Sequence, residues 1–235
     1  MRARLFGSCA IWLLCEAETS VLEAVHRVPK DVDVVVEVGS VPQMIDVLSS
    51  NGWVQDREVR VWSEGTRLRF RQPALGRLLL DVSVDFLRFA QILDLRGRLA
   101  IHGTCIAPTD LLLSKLQITQ KTYHDHGDVI ALLSSHSIGP NERDELNRER
   151  VDNVRSSSWR WDMALQRARE ECTEWNRIFT PDAGLPQLDS AKNRLFEVLD
   201  VKDRRVRGIR WYLGAALGRL TGVWFDEVEQ PWTGT

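Results

Sequence analysis

Residues 31–38 read DVDVVVEV, and this valine-rich stretch is the clearest strand signal in the chain. Nearly continuous β-branched apolar sequence is typical of a strand buried on at least one face. Positions i and i+2 of a strand point to the same face, so Asp31 and Asp33 project together. A second predicted strand over residues 78–85 carries Asp81 within a similar apolar run. The sequence therefore predicts two strands that each present carboxylates on one face.

Three carboxylates would converge if these two strands are neighbours in a sheet. Two like charges about 4 Å apart repel by roughly 4 kcal/mol at an effective dielectric constant near 20. That is large beside a typical net stability of about 5–15 kcal/mol. Such a cluster must hold protons or bind cations, and three hard oxygen ligands suit Mg²⁺, whose other positions are completed by water and substrate phosphates. The alternative is that Asp31 is a turn residue and Asp81 lies on a solvated face.

Short strands and amphipathic helices alternate through the first half of the chain, which predicts an α/β core. A strand is predicted over 4–6, and it turns at Gly7-Ser8 into a helix over 10–18. A second helix contains 41–48, with Ser40 as its N-cap, and a hairpin is predicted around the turn 63–66, with strand residues at 59–61 and 68–70. Two further helices are predicted over 108–120 and 128–135.

After about residue 140 the strand signals end, and arginine and tryptophan become frequent. Helices are predicted near 158–179 and 190–222, with a Pro- and Gly-containing loop over 180–187 between them. Trp159, Trp161 and Trp175 fit the packing of helices better than a stacking surface. A helical region is therefore expected to follow the core.

Composition limits the class of protein. Apolar residues at 43% and charged residues at 27% are typical of a globular protein and exclude disorder, collagen-like repeats and coiled coils. With 31 basic and 33 acidic residues the net charge is −2, so no global positive field indicates a nucleic-acid binder. Four cysteines without a CxxC pair favour a reducing cytoplasm. Since no apolar run reaches the roughly 18–20 residues that cross a bilayer, no membrane span is expected.

Lys115 lies in an unusual position for a lysine. On its predicted helix the neighbours three and four residues away are Leu111, Leu112, Ile118 and Thr119. A lysine inside an apolar stripe is costly unless its amine meets an anion or reaches water. Lys115 therefore either binds an anionic group or extends to the surface.

Three motifs together resemble the signature of the nucleotidyltransferase superfamily, typified by DNA polymerase beta. They are the Gly7-Ser8 turn, the acid pair within 31–34, and Asp81 within 80–82. Residues 27–133 are further similar to bacterial nucleotidyltransferase-like proteins related to the abortive-infection type IV toxin (AbiEii-like) enzymes. The similar stretches are 57–59, 81–85, 97–99, 111–118 and 125–133.

The resemblance implies an α+β protein, with a small mixed-sheet nucleotidyltransferase core over 1–138 flanked by helices and a helical C-terminal region over 139–235. It implies transfer of a nucleoside monophosphate from an NTP to an acceptor hydroxyl, with Mg²⁺ or Mn²⁺ held by the acids. A tRNA 3′ end is one acceptor that it suggests, and an antitoxin is a possible partner. The site residues that it implies are Asp31, Asp33 and Asp81 as catalytic metal ligands, Gly7, Ser8 and Lys115 for the nucleotide phosphates, and Arg27, Asp125 and Asp128 as accessory groups.

Three questions stay open at this level. Asp125 and Asp128 begin a helix, where carboxylates favour the helix dipole, so capping and catalysis are both possible. The protein could be a transferase that modifies a small molecule such as an antibiotic, or a binding module that kept the fold without activity. Between Lys192 and Arg219, eight basic residues against three acidic ones either contact RNA phosphates or form a solvated face.

Overall fold

The valine-rich stretch forms a strand at the centre of a mixed sheet. The computed structural model describes residues 1–76, 78–179, 185–200 and 209–221. The sheet has five strands in the order β1-β2-β5-β4-β3, and β2 runs parallel to β5 while the other neighbours are antiparallel. The strands are β1 Ala3–Phe6, β2 Val32–Val36, β3 Val54–Asp56, β4 Arg67–Arg71 and β5 Leu79–Val84; a separate hairpin consists of β6 Phe86–Arg88 and β7 Ile92–Asp94.

Helices cover the sheet and make up the second half of the chain, so the protein is of the α+β class. Within the described ranges the α-helices are α1 Gly7–Leu14, α2 Thr19–Ala24, α3 Val41–Ser50, α4 Arg57–Trp62, α5 Pro108–Leu116, α6 Tyr123–Ser135, α7 Arg148–Ser157, α8 Trp159–Glu171, α9 Trp175–Ile178, α10 Leu188–Leu199 and α11 Ile209–Thr221. Short 3₁₀ turns occupy Glu16–Glu18, Val38–Ser40, Pro73–Leu75 and Cys172–Glu174.

The predicted hairpin around residues 63–66 is wrong in its first arm. Residues 57–62 form helix α4, and β4 pairs instead with β3. Asp56 causes the difference, because its side chain accepts hydrogen bonds from the backbone amides of Glu58 and Val59 and so caps a helix at that point. Two valines at alternate positions are too short a pattern to outweigh such a cap.

Other predicted boundaries shift by a few residues. Helix α1 begins at Gly7, earlier than expected, and α5 ends at Leu116. Helix α6 begins at Tyr123 because Thr122 and Asp125 form a capping box. Ser40 occupies the N-cap position of α3, but its hydroxyl accepts from the amide of Arg2 and does not cap the helix.

The second half is helical where it is described, with α7 as a helix that the sequence did not indicate. Trp161 and Trp175 are buried in the core, as predicted, and Trp159 packs against that core. Residues 180–184 of the predicted loop and residues 201–208 lie outside the described ranges. No helix within the described ranges has the length and apolar character to span a bilayer.

The two faces of the sheet have different roles. One face packs against α3 and carries a compact apolar cluster that includes Val34, Val36, Phe70, Leu80 and Val82. The other face turns its alternate residues toward α1 and α5, and a larger core extends from there through α6, α7, α8 and α10. The predicted acids lie on this second face.

Candidate functional site

Charged residues face one another directly across the strands. In the register of the sheet Asp33 on β2 is opposite Asp81 on β5, and Asp81 is opposite Arg69 on β4. The row continues to Phe6 on β1, opposite Asp33, and to Asp56 on β3, opposite Arg69. Neighbouring strands are about 4.8 Å apart, so the residues of this row are close neighbours. The expectation that the two acidic strands are adjacent is confirmed.

Asp81 already has a cationic partner. The Arg69 guanidinium donates from Nε to Asp81 Oδ1 at 2.7 Å and from its terminal nitrogen to Oδ2 at 3.1 Å. Both side chains are largely buried, and a two-point contact of this kind is the strongest geometry for an arginine and a carboxylate. Asp81 Oδ1 and Oδ2 are therefore both engaged.

Asp33 carries the uncompensated charge of the cluster. Within the described residues, no cationic side chain reaches ion-pair distance of Asp33 or Asp31. Burial and, after it, the neighbouring charges of Asp31 and Asp81 raise the pKa of Asp33 to about 6, although the charges of Lys115 and Arg67 act to lower it. The predicted repulsion therefore acts on Asp33, but burial is the larger cause of the raised pKa.

Gly7 is required by a close approach to this acid. Its φ is +64°, a conformation that L side chains rarely adopt. A Cβ built at Gly7 would overlap the Asp33 carboxylate. Gly7 and Ser8 form the first residues of α1, and the Ser8 side chain is buried. The predicted turn therefore lies against Asp33 of the acid pair. The N-terminus of α1, with its backbone amides, lies at the same position.

A single cavity of about 180 Å³ joins these parts. This is smaller than the roughly 300–1,000 Å³ typical of ligand pockets, so a ligand the size of a nucleotide would extend beyond it. The predicted residues that line it are Gly7, Ser8, Arg27, Asp31, Asp33, Asp81 and Lys115.

Lys115 is held by two carboxylates behind the cavity. Its Nζ lies 2.8 Å from Asp128 Oδ2 and 3.1 Å from Asp125 Oδ1. Burial acts to lower the pKa of Lys115, but the carboxylates of Asp128 and Asp125 outweigh it, and the pKa is raised. Lys115 therefore stays charged and pairs with carboxylates of the protein itself. Its contact with nucleotide phosphates stays a prediction.

Asp125 and Asp128 are not among the residues that line the cavity. Asp125 completes the capping box of α6. Asp128 is fully buried, and its Oδ1 accepts from Arg27 Nε at 3.0 Å while Oδ2 contacts Lys115. Of the two alternatives left open, capping therefore describes Asp125, and Asp128 supports two cationic side chains of the cavity wall.

Arg67, Arg69 and Arg71 share one face of β4, and the alternation of arginines in the sequence indicates that they line the cleft; Arg67 does line the cavity. Other cavity residues were missed at the sequence level, among them Thr66 and Ser83. Phe86, Arg88 and Phe89 come from the β6–β7 hairpin. This hairpin forms a separate two-stranded sheet that pairs with neither β2 nor β5. Its position beside the cavity therefore depends on packing, which the local sequence does not indicate.

The metal ion stays a prediction. Asp31 and Asp33 offer hard oxygen ligands, which is the chemistry that Mg²⁺ or Mn²⁺ prefers. The third predicted ligand, Asp81, is bound to Arg69. No three His, Cys, Asp or Glu side chains of the described residues are arranged as a metal site.

The basic segment from Lys192 to Arg219 is described only in part. Lys192 donates to Asn176, and the Arg194 guanidinium donates to the carbonyls of Leu133, Ser134 and His136. These two side chains serve packing. The others of the set lie outside the described residues, as whole residues at 202–207 and as side chains at Arg210 and Arg219.

Comparison of the chain with protein-family models, curated proteins and solved structures finds no match. The function must therefore be inferred from the residues of the cavity.

Proposed function

We propose that this protein is a metal-dependent nucleotidyltransferase that moves a nucleoside monophosphate from an NTP to an acceptor hydroxyl in the cytoplasm. The observation that supports it is the convergence of Gly7, Ser8, Asp31, Asp33, Asp81 and Lys115, which are distant in sequence, on one cavity. The resemblance to type IV toxins suggests a tRNA 3′ end as acceptor and an antitoxin as partner, and a small-molecule acceptor such as an antibiotic is the alternative.

In this reaction the acceptor oxygen forms a bond to the α-phosphorus, and the bond from that phosphorus to the α,β-bridging oxygen breaks. Pyrophosphate leaves, and the hydroxyl proton passes to solvent. The backbone at Gly7-Ser8 and the cations Lys115 and Arg27 would bind the phosphates, so this chain contributes mainly positioning and charge stabilisation.

Asp31 and Asp33 would hold the divalent cation, with Asp81 as a third ligand once it leaves Arg69. A bound Mg²⁺ would supply charge neutralisation for the triphosphate and the leaving pyrophosphate. A bound cation would stabilise the site, because it would offset the negative charge that Asp31 and Asp81 place beside the buried Asp33 carboxylate.

Asp33→Asn is expected to reduce transfer by about 100-fold, since charge stabilisation by a bound metal contributes several kcal/mol to such a reaction. The purified protein is incubated with each labelled NTP, Mg²⁺ and total RNA, and with a small-molecule pool, and transferred label is counted. Asp46→Asn, on the exposed side of α3, is the matched control and should label like the wild type. Undiminished labelling by Asp33→Asn would refute the proposed site.

A second candidate function, a nucleotide-binding module without turnover, is favoured by one observation. The two-point Arg69–Asp81 contact occupies the third acid. A module of this kind would bind NTP with Mg²⁺ by calorimetry and yield no transferred product, whereas the enzyme gives both.

Arg69→Gln tests whether Asp81 is a metal ligand. Loss of the guanidinium leaves Asp81 beside Asp33 without a counter-charge, so the metal-free variant is expected to be less stable by about 1–3 kcal/mol. If Asp81 is a metal ligand, the same variant binds Mn²⁺ several-fold more tightly, because the cation no longer competes with an arginine. Mn²⁺ titrations followed by thermal unfolding measure both quantities. Unchanged or weaker Mn²⁺ binding would exclude Asp81 as a ligand.

A further inference from the structure

The β6–β7 hairpin is fixed next to the cavity by a buried contact. In its turn, the Phe89 amide donates to the Gln91 carbonyl at 3.2 Å. The Gln91 amide in turn donates to Gln117 Oε1 at 2.7 Å, and both glutamines are buried. Gln117 directly follows α5, the helix that carries Lys115. The turn is therefore held in place relative to the cationic wall of the cavity.

Phe89 places a large apolar ring beside the cavity, and part of this ring stays exposed to solvent. It lines the cavity and keeps 37% of its surface exposed. Its ring meets that of Phe6 edge to face, with centroids 6.5 Å apart and planes at 64°. Phe6 is buried and lies opposite Asp33 in the sheet. The exposed ring is thus anchored by the strand next to the acids.

The second ring of the hairpin differs in its surroundings. The guanidinium carbons of Arg96 and Arg88 lie 4.8 Å and 5.4 Å from the centroid of the Phe86 ring. Cations over an aromatic face are attracted by its quadrupole, so Phe86 already has partners. Phe89 is the ring whose surface is left for a ligand.

The cavity wall combines this ring with charges of both signs. Four cationic side chains and three carboxylates line it, namely Arg27, Arg67, Arg88, Lys115, Asp31, Asp33 and Asp81, and the cavity alone is too small for a whole nucleotide. A ligand that satisfies these features has an aromatic ring joined to a polyanion that carries a divalent cation. Aromatic side chains bind bases of any sequence through their π faces.

We infer that the base ring of the nucleotide stacks on Phe89. This inference rests on the proposed function and adds the ring subsite to it. Stacking holds any of the four bases, so the subsite selects a nucleoside triphosphate over an inorganic polyphosphate and does not by itself select one base.

The test compares Mg²⁺·ATP with Mg²⁺·tripolyphosphate, which shares the anion and lacks the ring, by titration calorimetry on the full chain. Phe89→Ala is expected to weaken ATP binding by about tenfold or more and to leave tripolyphosphate binding within about twofold of the wild type. Phe89→Trp should retain ATP affinity, because it keeps an aromatic face. Trp62→Ala is the matched control, since Trp62 is 86% exposed and is not among the residues that line the cavity.

The outcomes separate the inference from the function on which it rests. ATP binding by the wild type that Phe89→Ala leaves unchanged would overturn the inference alone. Equal losses for both ligands would do the same, because they would show that Phe89 only supports the packing of Phe6. A wild-type protein that binds no nucleotide would overturn the proposed function and the inference together.

Discussion

Replacing Asp33 by asparagine is expected to make the metal-free protein more stable at pH 8 by about 3 kcal/mol. The pKa of Asp33 is about 6 in the folded protein against 3.8 for an ordinary aspartate, so holding the carboxylate ionised costs folding free energy. Asparagine keeps the shape and removes the charge. For a chain of this size the gain corresponds to a rise in Tm of about 6–12 °C.

The sign of the effect fixes its pH dependence. Because the folded pKa exceeds the unfolded one, the folded protein binds more protons between about pH 4 and pH 6. The contribution of the Asp33 carboxyl to the free energy of unfolding of the wild type is therefore fully present below about pH 4, and it is lost as the pH rises through about 6. The asparagine variant lacks this loss, so the two proteins should match near pH 3.5 and differ most at pH 8.

Thermal or urea unfolding across this pH range measures the difference, with Asp46→Asn as the control that should follow the wild type. Mg²⁺·NTP at 100 times its Kd should add about 2.7 kcal/mol to the wild type and much less to Asp33→Asn. Destabilisation of the metal-free variant at pH 8 would show that Asp33 has a favourable partner and is not repelled by its neighbours.

Asp128→Asn is expected to lower the free energy of unfolding by about 3–5 kcal/mol. Asp128 is fully buried and pairs with both Arg27 and Lys115. Removing its charge leaves two cations in a site of low polarity with Asp125 as their remaining acidic neighbour. The penalty comes chiefly from those uncompensated charges.

Urea unfolding of the wild type and the variant at pH 7 tests this expectation. Asp189→Asn is a suitable control, because Asp189 is 87% exposed and lies 4.0 Å from Lys192. Exposed pairs of this kind contribute about 0–1 kcal/mol. A loss below about 1 kcal/mol for Asp128→Asn would mean that Arg27 and Lys115 find other anions or water and that Asp128 does not support them.

The strands that bear the acids could be predicted, because their signal is local. The valine-rich stretch predicts β2, the apolar run around Asp81 predicts β5, and the two strands are neighbours as hypothesised. Their parallel direction was not predicted. Helix α4 could not be distinguished from a strand by its two valines, since one capping side chain decided its conformation. Helix α7 has low apolar content; Asn147 caps its start, and it packs against α8, the next helix along the chain, and against α5 and α10.

The sequence could not predict which side chains contact one another within the site. Arg69 lies opposite Asp81 only because β4 pairs with β5 in one particular register. Phe89 reaches the cavity because Gln117, on another element, binds the turn that carries it. Such contacts join residues far apart in the chain, and no spacing rule encodes them.

The parallel pairing of β2 with β5 has a consequence for biosynthesis. Strand β2 leaves the ribosome well before β5 is made, and α3, β3, α4 and β4 must be synthesised between them. During that interval the edge of β2 that will meet β5 has unpaired amides and carbonyls along a run of valines. Such an edge is a template for association between nascent chains. Asp33 and Asp81 come together only when β2 and β5 pair, so the cavity forms no earlier than the moment at which this edge is covered.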